Sequence, residues 1–382
     1  MTIGIDFVGT NLGSGTKTYN ISFCNQLNTL SVSSNIKVFI CSNYLTQIST
    51  KLSSNSKVKY IIKPNFLSIT LFRLLWMQFI FPIELKLLKI NTLYSPMNFT
   101  PFLARLLKIK TVLCLHSNLP WVYFNLMPGN TIRNFLTKKL MELSIYVCDI
   151  LIVDSFFAKK EITKALSLHK KKIEVVYLSV KKSFFKNNSK SLINNFDYKN
   201  DYILSVMSCV RYHNIVNLLQ GFKLLIKEVN SNIKLVLVLQ ILDKGYFLEI
   251  KKYIKDNFKK DKIIIFINLE SQKLPALYAS SKLYVFTSYC EVFGLTSLEA
   301  MSQSTPVVIS NKSSLPEING TSALYFDPDN IVEIKKSLKK VLFNTGLRKK
   351  LLKSGNTHYK KFNSNQNVNK TIQIINKISQ RA

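Results

Sequence analysis

The sequence predicts an α/β protein built on parallel sheets in two domains, and three observations lead there. Short apolar strands alternate with helical patterns from one end of the chain to the other. The alternation restarts at Tyr202-Ile203-Leu204-Ser205-Val206, after a polar stretch at 181–200 where Lys, Ser and Asn crowd around Phe184 and Phe185. With 382 residues, 47% of them hydrophobic and 19% charged, the chain is long and apolar enough to bury two cores. The expected organisation is a first domain over 1–180, a linker over 181–200, a second domain over 201–360 and a C-terminal helix over 361–382.

In chain order, Ile3 to Val8 reads as the first strand. The turn Gly9-Thr10-Asn11-Leu12-Gly13-Ser14-Gly15 follows, and then a helix carries Tyr19, Phe23 and Leu27 on one face. Lys37 to Cys41, Thr92 to Tyr94, Thr111 to Leu115 and Ile150 to Val153 read as further strands of the first domain. In the second, strands are expected at Tyr202 to Val206, Lys234 to Leu239, Ile263 to Phe266, Leu283 to Thr287 and Val307 to Ile309. From about residue 345 the tail reads as basic helix.

Composition narrows the classes of function. The formal net charge of +32, from 53 Lys and Arg against 21 Asp and Glu, creates a positive field that draws polyanions or an anionic membrane surface. Runs such as Lys170-Lys171-Lys172 read equally well as solvated surface. No nucleic-acid reading motif accompanies the charge. The six cysteines are scattered, with no Cys-x-x-Cys pair, which suggests reduced buried thiols in a cytoplasmic protein and no structural zinc. The start Ile3-Gly4-Ile5-Asp6 lacks the basic lead of a secretory signal. The most apolar run, Leu67 to Phe81, contains Arg73 and Gln78 and stops at Pro82, so it is too short and too polar to span a bilayer. Asn65 to Lys89 fits either a membrane interface or a buried helix.

The chemistry concentrates between Glu291 and Glu299. Phe293, Gly294, Leu295 and Thr296 lead into a helix whose first backbone N–H groups lack intrahelical partners, so that end attracts a phosphate. Two carboxylates beside a phosphate site suit a nucleotide-sugar: Glu291 accepts from sugar hydroxyls and Glu299 from ribose hydroxyls, while the helix end holds the diphosphate. This segment lies at the carboxyl end of a strand, where open α/β sheets bind ligands.

The run from Glu291 through Thr305-Pro306-Val307-Val308 to Pro316-Glu317 closely resembles the signature of the group 1 (family 4) retaining glycosyltransferases. The resemblance implies the GT-B fold, with two Rossmann-like αβα domains facing an interdomain cleft, a donor domain second and an acceptor domain first. It also implies a last helix that crosses back onto the first domain. On this likeness Arg211 neutralises the leaving diphosphate, and His213 stands where relatives often carry Lys. His116, at a strand end, meets the donor sugar, and Gly13 and Gly15 form the glycine turn that approaches diphosphate or acceptor. Leu239 and Gln240, Asn268 and Ser304 occupy positions where relatives usually have glycine, which is expected to reshape the nucleotide pocket.

The function so implied is retaining transfer of a hexose-type sugar from a nucleotide-diphosphate donor to a hydroxyl of a glycan or lipid-linked glycan. No cofactor beyond the donor and no metal ion is expected, since no Asp-x-Asp motif stands in a suitable context. A non-catalytic basic binding protein and a sugar-nucleotide epimerase on the same scaffold are the alternatives. The expected location is cytoplasmic, peripheral on the inner face of the membrane.

Overall fold

The computed structural model describes residues 2–8, 14–27, 34–45, 57–169, 171–180, 184, 192–194, 196–199, 201–229 and 232–380. Gly13 with most of its turn, and most of the 181–200 linker, lie outside the described residues. The chain divides into two compact units: Met1–Trp121, Phe135–Leu178 and Asn363–Ala382 form the first, and Val122–Asn134 with Ser179–Phe362 the second.

The first unit holds seven strands: β1 (Thr2–Asp6), β2 (Asn35–Cys41), β3 (Val58–Lys63), β4 (Thr92–Ser95), β5 (Lys110–Leu115), β6 (Ile150–Val153) and β7 (Ile173–Val175). All pair in parallel, in the order β3-β2-β1-β4-β5-β6-β7. The second unit holds β8 (Tyr202–Cys209), β9 (Lys234–Ile241), β10 (Ile263–Ile267), β11 (Leu283–Phe286), β12 (Val307–Ser310) and β13 (Ala323–Phe326). These too are parallel, ordered β10-β9-β8-β11-β12-β13. Parallel strands covered on both faces must be apolar throughout. Accordingly β4, β6, β11 and β12 are buried at every position.

In both sheets the strand order reverses direction beside the first strand, at β1/β4 and at β8/β11. That parting leaves a crevice at the carboxyl ends of the strands. Helix Ser364–Ser379 belongs to the first unit, where Ser379 bonds Thr92 at 2.5 Å and Ser34 bonds Asn376 at 3.1 Å.

The apolar run of the first unit folds as short pieces: helix Thr70–Leu75, a π-helical turn Trp76–Ile80 and helix Phe81–Leu87. Its inward stripe is Arg73, Met77, Phe81 and Leu85, spaced four residues apart and at most 1% exposed. Arg73 reaches Asp6 at the end of β1, 3.4 Å away. Burial pushes the Asp6 carboxyl up from the ordinary carboxylate range, against the pull of Arg73. The opposite face is apolar and open to solvent, with Leu71 64%, Phe79 63% and Leu87 78% exposed.

Two of the glycine departures become intelligible in the backbone. Asn268 (φ 51°) and Ser304 (φ 57°) both adopt the left-handed conformation that glycine would hold without steric cost. At the third, β9 continues through Leu239 and Gln240, which pair with Met207 and Ser208 of β8. Ser304→Gly should therefore raise stability by about 0.5–1 kcal/mol, after allowing for its exposed hydroxyl bond to Asn356 (3.0 Å). Urea denaturation checks this, and a lower midpoint would contradict it.

Candidate functional site

The second unit's switch point is stitched by the loops that leave β8 and β11. The Thr287 hydroxyl reaches the carbonyls of His213 (2.8 Å) and Asn214 (3.2 Å), and the Tyr289 amide donates to the Tyr212 carbonyl (2.8 Å). Asn214, at φ 55°, makes the reversal that turns His213 back over the strand ends.

His213 is buried between two oxygen atoms. Its Nδ1 lies 2.6 Å from the Ser208 carbonyl, and its Nε2 lies 3.1 Å from Glu291 Oε1. A carbonyl only accepts, so Nδ1 carries a hydrogen and Nε2 is the nitrogen that meets Glu291. Glu291 is held from its own backbone: its amide donates to Ser313 Oγ (2.9 Å), and its carbonyl accepts from Ser314 Oγ (2.9 Å). One carboxylate, one imidazole and the loop 313–314 are thereby fixed to each other.

Gly294 then turns the chain at φ 87° into helix Leu295–Ser302 with no side-chain cap. Uncapped, the first amides of that helix are available to an anion. A Cβ at Gly294 would come 2.6 Å from Leu315 Cδ2, so both the torsion and the space require glycine. Thr296 Oγ1 accepts from the Tyr284 hydroxyl (2.7 Å), and Glu299 Oε2 accepts from the Tyr278 hydroxyl (3.3 Å). Burial, with the Glu299 charge beside it, pushes the Tyr278 phenol well above the ordinary tyrosine range, so it remains a donor.

Other expected residues sit differently. Phe293 is 1% exposed and packs edge-on against Phe362 at 5.6 Å, so its side chain is core and only its backbone belongs to the turn. Arg211 is nearly half exposed and grips Glu249 with both guanidinium arms, at 2.5 and 3.0 Å, over the Tyr246 ring. To reach a diphosphate it has to leave Glu249. The Glu249 bond raises the Arg211 guanidinium further, opposed in part by the loss of water. Asp327 and Asp329 are engaged by Lys312 (3.2 Å) and by the Tyr289 hydroxyl (2.6 Å).

In the first unit, β5 delivers His116, whose amide donates to Asn98 Oδ1 (2.7 Å). Its Nδ1 lies 2.9 Å from Asp154 Oδ2 and 3.2 Å from Oδ1, and its ring packs on Tyr19 at 4.7 Å. Cys114, His116 and Asp154 bring one donor atom each within 4.8 Å of one another. Nδ1 is engaged by Asp154, and burial, opposed by His116, pushes the Cys114 thiol up. The group is therefore a hydrogen-bonded pair beside a thiol. Gly15 lies in helix Ser14–Leu27.

Sequence reasoning missed Ser313, Tyr278, Glu249 and Asp154. Only Asp154 left a signal, a charge ending the apolar strand Ile150-Leu151-Ile152-Val153. Gly294→Ala should cost about 2–4 kcal/mol, from left-handed strain plus overpacking against Leu315. Chemical denaturation measures this, and a loss below about 0.5 kcal/mol would remove the steric argument.

Residues 187–358 match the family model described as Glycosyl transferases group 1. The O-antigen chain mannosyltransferase RfbU of Salmonella typhimurium is 26% identical over 236 residues, 62% of this chain and 62% of that protein. The O-antigen chain mannosyltransferase B of Escherichia coli is 30% identical over 172 residues, 45% of this chain and 44% of that one. The chain thus spans less than two thirds of these relatives' lengths. In structure it is similar to sucrose-phosphate synthase from Thermosynechococcus elongatus, with a TM-score of 0.77, 15% identity and 100% of both chains covered. Anabaena Alr3699/HepE in complex with UDP gives a TM-score of 0.71 at 14% identity, again with 100% of both chains covered. These two structural likenesses show the fold.

Proposed function

We propose that the chain, which has a two-domain Rossmann-like GT-B fold, is a group 1 glycosyl transferase, the family whose model its residues 187–358 match, and that it moves a hexose from a nucleotide-diphosphate sugar to a hydroxyl of a glycan or lipid-linked glycan, with retention at the anomeric carbon. The observation that carries the reading is the second unit's switch point. There a glycine-only turn opens an uncapped helix beside the His213–Glu291 pair, with Glu299 on that helix. Anion-binding amides and hydroxyl-binding carboxylates on one turn suit a sugar diphosphate better than a simple anion. The similarity to mannosyltransferases favours mannose as the sugar.

In this reading Glu299 holds the ribose, Glu291 the sugar and the amides after Gly294 the diphosphate. His213, in the place where relatives carry a lysine, supports the phosphate once its Nε2 leaves Glu291. The acceptor oxygen bonds to the anomeric carbon from the face that the phosphate oxygen leaves, and that phosphate oxygen takes the acceptor proton. Charge on the leaving group is met by preorganised donors, without a metal ion. Arg211 joins the diphosphate once released from Glu249.

The reaction is assigned to the cytoplasmic face of an anionic membrane. Among the described residues no helix is long and apolar enough to cross a membrane. Instead the 62–87 segment shows solvent a row of large apolar side chains, including Phe66, Leu71, Phe72, Phe79, Ile80 and Leu87, with Lys59, Lys86 and Lys89 exposed beside them. A patch of this kind on a chain of net charge +32 fits an anionic lipid surface.

Glu299→Ala should raise the donor KM about 10–100-fold, since the lost charge-assisted hydrogen bonds are worth about 1.5–3 kcal/mol. Thermal shifts with UDP-, GDP- and ADP-sugars followed by transfer assays read this out. Near-normal transfer by the variant would sink the site. A bound donor with neither hydrolysis nor transfer would favour the binding protein, and an isomerised donor the epimerase.

Sedimentation with phosphatidylglycerol-rich vesicles should retain the protein, and phosphatidylcholine alone should retain it far less. Replacing Leu71, Phe79 and Leu87 by Ser should lower binding at least about tenfold, each inserted side chain being worth about 1.5–3 kcal/mol. Equal partitioning of variant and parent would exclude this surface.

A further inference from the structure

Gln240 stands near the end of β9, and the sheet register fixes which way its side chain goes. It pairs with Ser208 of β8, while Val236 pairs with Leu204, and Leu204 in turn with Tyr284 of β11. Alternate residues of a strand share a face, so Gln240, Ser208, Leu204 and Tyr284 all point to one side of the sheet. That side is the one covered by the helices of the candidate site. The Tyr284 hydroxyl meets Thr296 on helix Leu295–Ser302 (2.7 Å), and Tyr278 of helix Leu274–Ser280 meets Glu299 (3.3 Å). Gln240 lies four residues beyond the Val236–Leu204–Tyr284 row, toward the carboxyl ends where the crevice opens. Its neighbour Ser208 is the residue whose carbonyl holds His213 against Glu291.

Oε1 of Gln240 is buried and has no hydrogen-bond partner among the described residues. A buried carbonyl oxygen without a partner is costly unless something else occupies that direction. An amide oxygen only accepts, so whatever meets it must donate. Phosphate oxygens at neutral pH also only accept, which excludes the diphosphate. In the transferase reading the hydroxyls of the sugar and the ribose go to Glu291 and Glu299. The donors of a nucleotide-sugar that remain are the N–H groups of its base.

We propose that Gln240 is a specificity-determining residue that reads the donor's nucleobase, its buried Oε1 accepting a base N–H while Nε2 donates to the acceptor atom beside that N–H. Guanine, uracil and adenine each present an edge with an N–H next to an acceptor, and a carboxamide matches such an edge with two parallel bonds. The glycine usual at this position in relatives has no side chain to make the contact, so base selectivity by this route is a property of this chain's own substitution. The assignment to a base rests on the transferase reading; the unmet oxygen on the site's face of the sheet does not.

Isothermal titration of the full chain with GDP, UDP and ADP should show one preferred nucleotide. The parent should bind the base-methylated counterpart of that nucleotide (1-methylguanosine, 3-methyluridine or N6,N6-dimethyladenosine diphosphate) at least about tenfold more weakly, because the methyl group removes the N–H and leaves Oε1 unpaired. Gln240→Leu, similar in size but without the amide, should bind the plain and methylated forms alike. Gln240→Gly, which restores the residue usual in relatives, should lose most of the preference among the three bases. Parent affinities that methylation leaves unchanged overturn the contact, and this comparison needs no variant to fold. A methylation penalty that survives in Gln240→Leu or Gln240→Gly overturns it as well, and in either case the transferase reading stands. A parent chain that binds none of the three nucleotides removes that reading itself, and the base contact with it.

Discussion

Thr287 governs the second unit. Its hydroxyl reaches the carbonyls of His213 and Asn214 from the end of β11, tying the loop after β8 to the loop that carries Glu291. Strand order alone opens a crevice at a switch point. What turns that crevice into a defined polar site is this cross-strand bond, because it sets the height at which His213 meets Glu291. Ser313 and Ser314 repeat the device on the other flank. Short hydroxyl side chains, none of them chemically reactive in this role, hold the reactive ones.

The fold was legible where period and apolarity coincide. The strands around Lys37, Thr92, Thr111, Ile150, Tyr202, Lys234, Ile263, Leu283 and Val307 all occur where the pattern placed them, within a few residues. β3, β7 and β13 escaped because they lie at or near sheet edges and carry Lys, Glu or Tyr among few apolar residues. In the site, Glu291, Gly294 and Glu299 could be read because their spacing along one strand-turn-helix unit is local, whereas His213 comes in from the loop after β8, 78 residues before Glu291. Glu249 and Asp154 could not, since the sheet brings them to Arg211 and His116 from 38 residues away. Phe293 adds what the sequence did not specify: the turn sends its side chain into the core and leaves its backbone to the turn.

The glycine departures teach a similar lesson. Substitution by Asn and Ser left the backbone torsions at 268 and 304 in the left-handed region, so these turns keep their path and bear strain instead. Asparagine tolerates that conformation best among the non-glycine residues, and Ser304 recovers part of the cost through Asn356. What such a sequence loses is spare stability rather than geometry.

The Arg73–Asp6 pair bears on the exposed apolar segment as a whole. A helix greasy on nearly every side has no hydrophobic reason to prefer one rotation about its axis over another. Arg73 supplies the preference: with its guanidinium anchored beneath β1, the segment is keyed like a bolt in a slot. The outward display of Leu71, Phe79 and Leu87 is in that sense enforced from within, by a single cation that no solvent molecule sees.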